Sequence, residues 1–355
     1  MSLMVIIILC SLLTSEYVVL MLLYWRGWQQ QKEFTPRPGF EPATFISVII
    51  PARNEQERIE ACIASILAQQ YPQGLFEIIV VDDHSEDNTA SIVKKYAHRN
   101  VRYISLRDHM DAGVKTVAYK KAAINAGIEN SIGSLIVTTD ADCIAPERWL
   151  LHMAAIYEQQ HPAMIIAPVV YSCDGSLLQV FQFIDFMSMQ GITAAAHKLQ
   201  LGNMSNGANL AFSKVAYMVV GGYAGTTHMA SGDDYLLLMK MSMAFPGGIA
   251  YLRSENATMS TPAQTTWRGF IQQRIRWASK SGKYDDVRLT MILLMVYIFN
   301  LSFVVLTVAG IFHQTLLYIA GAMLVLKIIK TQTAAGWKRD IPQLGKVPAV
   351  FLMLG

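Results

Sequence analysis

Between Ile46 and Asp142, apolar runs of strand length alternate with segments of helical spacing, and three of the strand runs end in charged clusters. Strands are predicted at "ISVIIPARNE", "FEIIVVDDHSED", "VRYISL" and "SLIVTTDAD", and helices at "RIEACIASILAQQ", "TASIVKKYAHR" and "AYKKAAINAGIEN". Such alternation implies an α/β fold, a mostly parallel sheet with helices on both faces. Ligands of these sheets bind at the carboxyl ends of the strands. That is where "PARNE", "DDHSED" and "DAD" fall. Asp140 and Asp142 stand two apart, so on an extended chain they project to one face. Two like charges held there repel unless a cation joins them.

The rest of the chain is greasier than a soluble domain. Hydrophobic residues make up 53% and charged residues 15%, against about 25% charged in a typical soluble domain. Mean hydropathy is +0.31, which places part of the chain in lipid. Met4 to Trp25 is long enough for a span of about 20 residues, and it lacks the basic start and small-residue cleavage site of a signal peptide. Glu16 in its middle is expected to face another helix or water. Arg26, Lys32 and Arg37 follow the span and no charged side chain precedes it. The positive-inside rule then puts the N-terminus outside and the next domain in the cytosol. A second span is predicted at Leu289–Phe312 and a third at Thr315–Ile329. "VPAVFLMLG" reads as the start of another, so the C-terminal helices are expected to be truncated.

The expected organisation is a transmembrane and juxtamembrane segment (1–33), a Pro-rich linker (34–46), a cytosolic α/β domain (47–262), an interfacial helix (263–288) and C-terminal transmembrane helices (289–355). The chain should therefore sit in the cell membrane as a multi-pass protein. Within the α/β domain, "LLQVFQFIDFMSMQGITAAA" reads either as a core helix or as a helix lying on the membrane surface. A net charge of +3 and the lack of basic runs with interleaved aromatics exclude nucleic acid as a partner. Four scattered cysteines give neither a zinc pattern nor a disulfide framework.

Several short stretches carry possible chemistry. Mg²⁺ and Mn²⁺ favour carboxylate oxygens, and Mg²⁺ is commonly held by one or two carboxylates plus substrate phosphates. Asp140 and Asp142 suit that need, although D-x-D alone equally describes a solvated turn. Asp82 and Asp83 close an apolar strand and could accept from a ribose or a base N–H. The Arg53 side chain and its neighbouring backbone could face a nucleotide. Lys120 and Lys121 precede the "DAD" strand, and a lysine aimed at phosphate acts as a point charge. Asp233 and Asp234 follow Gly232 at a predicted helix start, a favourable place for acids in any case. Gln273, Arg276 and Trp277 share one helix face, which also describes an interfacial anchor.

Taken in order, "PARNE", "DDHSED", "KKAAINAG", "DAD", "GDD" and "QQRIRW" resemble the membrane-bound family 2 glycosyltransferases with a GT-A (nucleotide-diphospho-sugar transferase) fold. The likeness runs from Ser47 to Trp277, about two thirds of the chain. It implies an inverting hexosyltransferase that uses a nucleotide-diphosphate sugar, most commonly a UDP-sugar, with a lipid or polysaccharide acceptor. By resemblance, Pro51, Ala52, Arg53, Glu55 and Asp83 hold the nucleotide, with Asp82 beside them. Lys120, or Lys121 in its place, meets the diphosphate. Asp140 and Asp142 hold Mg²⁺ or Mn²⁺, Asp234 is the general base with Asp233 in reserve, and Gln273, Arg276 and Trp277 line the acceptor end and help hold the diphosphate. The chain departs from the family pattern at Arg53, usually a tyrosine, at His84, usually a glycine, and at Asp233, usually a glutamate. The readings left open beside this one are a processive polysaccharide synthase and a membrane-tethered nucleotide-binding scaffold without turnover. A nucleotidyltransferase would need a Gly-rich triphosphate loop that "PARNEQER" lacks.

Overall fold

The computed structural model describes residues 3–109, 118–202, 204–226, 229, 232–281 and 287–333. The first half of the chain runs α1 (Leu3–Gln30), β1 (Ile46–Ala52), α2 (Ile59–Leu67), β2 (Phe76–Asp82), α3 (Thr89–Lys94), β3 (Val101–Ser105), α4 (Leu106–His109), α5 (Tyr119–Glu129), β4 (Leu135–Thr138) and α6 (Trp149–Gln160). It continues as β5 (Met164–Ile166), β6 (Val169–Ser172), α7 (Leu177–Leu199), β7 (Leu210–Ser213), α8 (Lys214–Val219), α9 (Asp233–Ala244), β8 (Ile249–Tyr251), β9 (Met259–Pro262), α10 (Trp267–Ser281), α11 (Val287–Gly310) and α12 (Gln314–Thr333). Two compact units result, one of residues 32–172 and 203–263, the other of 1–31, 173–202 and 264–355. Residues 173–202 thus group with the terminal helices, where the sequence reading had kept them inside the α/β domain.

The α/β unit holds a seven-stranded sheet in the order β3-β2-β1-β4-β7-β5-β8. Only the two pairings made by β7 are antiparallel. β2 and β4 are buried along their whole length, and β1 along all but Pro51. This is what a parallel sheet covered on both faces demands, and it explains their unbroken Val/Ile runs. α2 buries Ile59, Cys62, Ile63 and Ile66, a 3.6-residue stripe. Gly127 lets α5 lie close on β1, since a Cβ there would stand 2.5 Å from Ile49 Cγ2. The chain winds β1, β2, β3 to one side and then crosses to place β4 on the other side of β1. That reversal opens a crevice at the carboxyl ends of β1 and β4, the usual ligand position in open α/β sheets.

In the second unit α7 packs on α1. Leu20 and Tyr24 meet Ala195 and Ala196 in a common core. α7 is therefore a helix packed on α1 within this unit. Tyr17 stacks on Phe299 of α11 with ring centroids 4.1 Å apart. Met4–Gln30 and Val287–Gly310 are long and apolar enough to cross a membrane, and Gln314–Val325 is a shorter apolar stretch. Glu16 lies exposed on the outside of α1. The stretch "VPAVFLMLG" lies outside the described residues.

Candidate active site

The first wall of the crevice is formed by the loops after β1 and β2, which bind each other. The Asn54 and Gln56 backbone N–H groups donate to Ser85 Oγ (2.9 Å) and Asp87 Oδ2 (3.1 Å), and the Glu86 N–H donates to Asn54 Oδ1 (2.8 Å). Asp83 N–H donates to the Ala52 carbonyl at 2.8 Å, so the end of β1 presents Pro51, Ala52 and Arg53 as one rigid edge. Asp83 is buried yet carries two basic neighbours, Arg53 Nη1 at 3.7 Å and His84 Nδ1 at 2.9 Å. Asp82 has a different task. Its Oδ1 accepts from the Ser85 N–H (3.1 Å) and its Oδ2 from the Tyr103 hydroxyl (2.8 Å). Both oxygens thus help to brace the loop.

The second wall follows β4. The strand stops at Thr138, and Asp140–Asp142 form a turn in which the Cys143 N–H donates to the Asp140 carbonyl at 3.2 Å. The two acids therefore come together through a turn and not, as the alternation suggested, through the pleat of a strand. Both are half-buried, and each has a cation from the chain. Lys120 Nζ is 2.7 Å from Asp140 Oδ1. Arg58 Nη1 is 3.7 Å from Asp142 Oδ2. Burial, then repulsion from Asp140, raises the Asp142 carboxyl above its ordinary range despite Arg58. Glu55 is pushed up to about 7 by burial and then by Asp142, with Asp140 adding to it and Arg58 opposing.

Acids from the far end of the unit complete the site. Gly232 takes a left-handed conformation (φ 85°) and starts α9, which puts Asp233 and Asp234 in its first turn, where the helix dipole favours negative charge. Asp233 is buried and its Oδ2 lies 3.7 Å from Lys120 Nζ. Asp234 is half-buried, and its Oδ1 accepts from the Tyr235 N–H at 2.8 Å. Lys120 thus spans "DAD" and "GDD". Burial opposes its charge, but Asp140 and then Asp233 outweigh burial and hold the ammonium protonated. Gly207 borders the same space. A Cβ there would lie 3.3 Å from Asp233 Oδ2 and 3.6 Å from Lys120 Nζ.

Lys121 points elsewhere. Its buried ammonium donates to the carbonyls of Thr226 (2.8 Å) and Met229 (3.0 Å), in the segment that leads into Gly232. It ties α5 to those two carbonyls. Hydrogen bonds to charged groups contribute about 1.5–3 kcal/mol each. Lys121→Met, which loses two of them, is therefore expected to destabilise the unit by about 3–6 kcal/mol. It should also lower turnover more than donor affinity, read by thermal melting beside steady-state kinetics.

Gln273, Arg276 and Trp277 lie on α10, in the helical unit. Trp277 is half-buried against Phe186 and against the guanidinium of Arg274, 5.9 and 4.8 Å from its ring. Arg274 is ion-paired with Asp185 of α7. Arg276 is exposed and Gln273 half-buried. The carboxylate site is built from residues of the α/β unit alone. Sequence reading passed over Arg58 and Gly207. Arg58 looks like any charge before a helix, and Gly207 is one glycine in a polar loop, so neither carried a signal of its own.

The residues present fit a divalent cation. Among the described residues no three His, Cys, Asp or Glu side chains form a closed cage. What remains is a pair of oxygen donors, one of them under electrostatic pressure from the other, and this is the partial set that Mg²⁺ completes with phosphate oxygens.

Glu55 also gives a pH-dependent stability. Its folded-state carboxyl titrates near 7, above the ordinary 4.5. The unfolded chain releases this proton first as pH rises, so stability falls between about pH 4.5 and 7. Without added divalent cation, Glu55→Gln is expected to melt level with the parent chain at pH 5 and above it at pH 8.

A mostly parallel sheet with one reversed strand and acids gathered at the crevice defines a GT-A type nucleotide-diphospho-sugar transferase fold. Residues 47–204 match the family described as Glycosyl transferase family 2. It is similar to glycosyltransferase AglE of Haloferax volcanii, 36% identical over 108 residues, covering 30% of this chain and 33% of AglE. A poly-beta-1,6-N-acetyl-D-glucosamine synthase of Staphylococcus epidermidis is 26% identical over 237 residues, 66% of this chain and 53% of the synthase. The matches thus span from a third to about half the length of these relatives. Among solved structures, a mannosyltransferase of Pyrobaculum calidifontis in complex with GDP-Man and Mn²⁺ shares the fold at a TM-score of 0.58. It is 20% identical, with 98% of this chain and 97% of that chain covered.

Proposed function

We propose that the chain is a membrane-attached inverting glycosyltransferase that moves a sugar from a nucleotide-diphosphate sugar to a lipid or polysaccharide acceptor. The observation that carries this reading is the salt-bridge link from Asp140 through Lys120 to Asp233, which unites two acidic motifs at the switch-point crevice. Arg53 and Asp83 would take the nucleoside, as the family resemblance suggests. Asp140 and Asp142 would hold Mg²⁺ or Mn²⁺, which when bound supplies positive charge for the leaving diphosphate. Lys120 adds a second cation to the same leaving group. Asp234 takes the proton of the acceptor hydroxyl as that oxygen attacks the anomeric carbon, and the nucleoside diphosphate departs from the opposite face. Asp233, tied to Lys120, orients the pair. A single base and a single displacement invert the anomeric centre.

Membrane attachment is supported by the two helices of spanning length, and a polysaccharide acceptor by the name of the staphylococcal relative. The test is nucleoside diphosphate release by the detergent-purified chain, screened over UDP- and GDP-sugars with Mg²⁺ or Mn²⁺, with and without a lipid extract. Cation-dependent release from one donor is the expected result. Tight nucleotide binding with no release under any condition would instead favour the scaffold reading.

A further inference from the structure

We propose that Lys120 is a built-in competitor of the divalent cation for Asp140, and that a nucleoside diphosphate relieves the competition by drawing the ammonium onto its own oxygens. The inference rests on the reading that Asp140 and Asp142 hold the cation. Lys120 Nζ sits 2.7 Å from Asp140 Oδ1. That is a charge-assisted hydrogen bond of ordinary strength, made to an oxygen a metal would need. Arg58 lies at 3.7 Å from Asp142, so both acids carry a positive partner from the chain itself. A divalent cation arriving alone must compete with both and stand close to the Lys120 charge.

The geometry lets Lys120 move without disturbing the fold. Its neighbour Lys121 fixes the start of α5 through two backbone carbonyls, while the Lys120 side chain is 38% exposed. A Cβ at Gly207 would stand 3.6 Å from Nζ and 3.3 Å from Asp233 Oδ2, so the glycine keeps a side chain out of the space beside the ammonium. The four-carbon stem can swing there toward a phosphate while its backbone stays anchored. Cation and diphosphate then favour each other's binding by equal factors, as linkage requires.

The experiment measures Mn²⁺ binding to the detergent-purified full chain by the electron paramagnetic resonance signal of free Mn²⁺. It is run alone and with UDP or GDP. Lys120→Met should bind Mn²⁺ alone about tenfold more tightly than the parent chain, within the usual span of coupling between two ligands. The gain in Mn²⁺ affinity on adding nucleotide should shrink in that variant. Lys120→Arg keeps the charge and should bind Mn²⁺ alone like the parent chain. Arg53→Met removes an equal charge that touches Asp83 and not Asp140, and should change Mn²⁺ affinity by less than about twofold. Equal Mn²⁺ affinities in Lys120→Met and Arg53→Met would overturn the proposal, as would weaker binding in a Lys120→Met protein of unchanged melting temperature. Asp142→Asn separates the two levels. If it leaves Mn²⁺ binding intact, the cation is not held by "DAD" and the underlying reading fails as well. If it abolishes binding while Lys120→Met behaves as the parent, the competition alone is wrong.

Discussion

Asp142→Asn is expected to lower nucleoside diphosphate release by about 10²–10³-fold, the usual loss when one preorganised electrostatic stabiliser is removed. The substitution keeps the shape of the side chain and removes only its charge. In the folded chain that charge is already under strain, raised by burial and by Asp140, so a stabilising cation is its natural counterpart. With Asn in place the pair of donors becomes one, and Asp140 is already engaged by Lys120. The nucleoside should still bind through the Arg53 and Asp83 edge, so nucleotide affinity measured without divalent cation should stay close to that of the parent chain. Raising Mn²⁺ should restore part of the lost rate, because Asp140 still offers an oxygen. Full release by Asp142→Asn at ordinary Mg²⁺ would remove this acid from the chemistry.

Much of the site was legible because the fold repeats a simple rule. Parallel strands buried on both faces announce themselves as Val/Ile runs, and the charged residues that interrupt such runs must lie at the strand ends. β1, β2 and β4 were read in this way, together with "PARNE", "DDHSED" and "DAD". What the rule cannot supply is side-chain direction. Lys120 and Lys121 are neighbours on one helix, yet their directions differ by about 100°. One faces three acids and the other the carbonyls of Thr226 and Met229. Asp82 and Asp83 divide in the same manner between loop bracing and the crevice. The grouping of 173–202 with the terminal helices was hidden for another reason. α7 is apolar and Met-rich, a composition shared by core helices and helices in lipid, and only its packing on Leu20 and Tyr24 decides its unit. The DAD turn shows the limit of periodicity. Two residues apart was the right signal for closeness, but a turn, not a strand, produces it.

Asp234→Asn is expected to cost 10²–10⁴-fold in sugar transfer, the range for loss of a general base, with donor affinity unchanged. The two acids at the start of α9 differ in what already holds them. Asp233 is buried and lies within ion-pair reach of Lys120, so its carboxylate is engaged with the ammonium. Asp234 is half-buried, and its Oδ1 accepts from its own neighbour's N–H. Asp234, the less buried of the two, is the better candidate to meet an acceptor hydroxyl. Asp233→Asn should therefore act by a different route. It loosens Lys120, so it should weaken donor binding and lower turnover together, and it should leave the acid limb of the pH–rate profile in place. Asp234→Asn should abolish that limb, since the group that must be ionised is gone. If Asp233→Asn instead removes the limb and leaves donor affinity untouched, the base is Asp233. Lys120 would then be the group that positions the base itself, and the same salt bridge would have the opposite meaning.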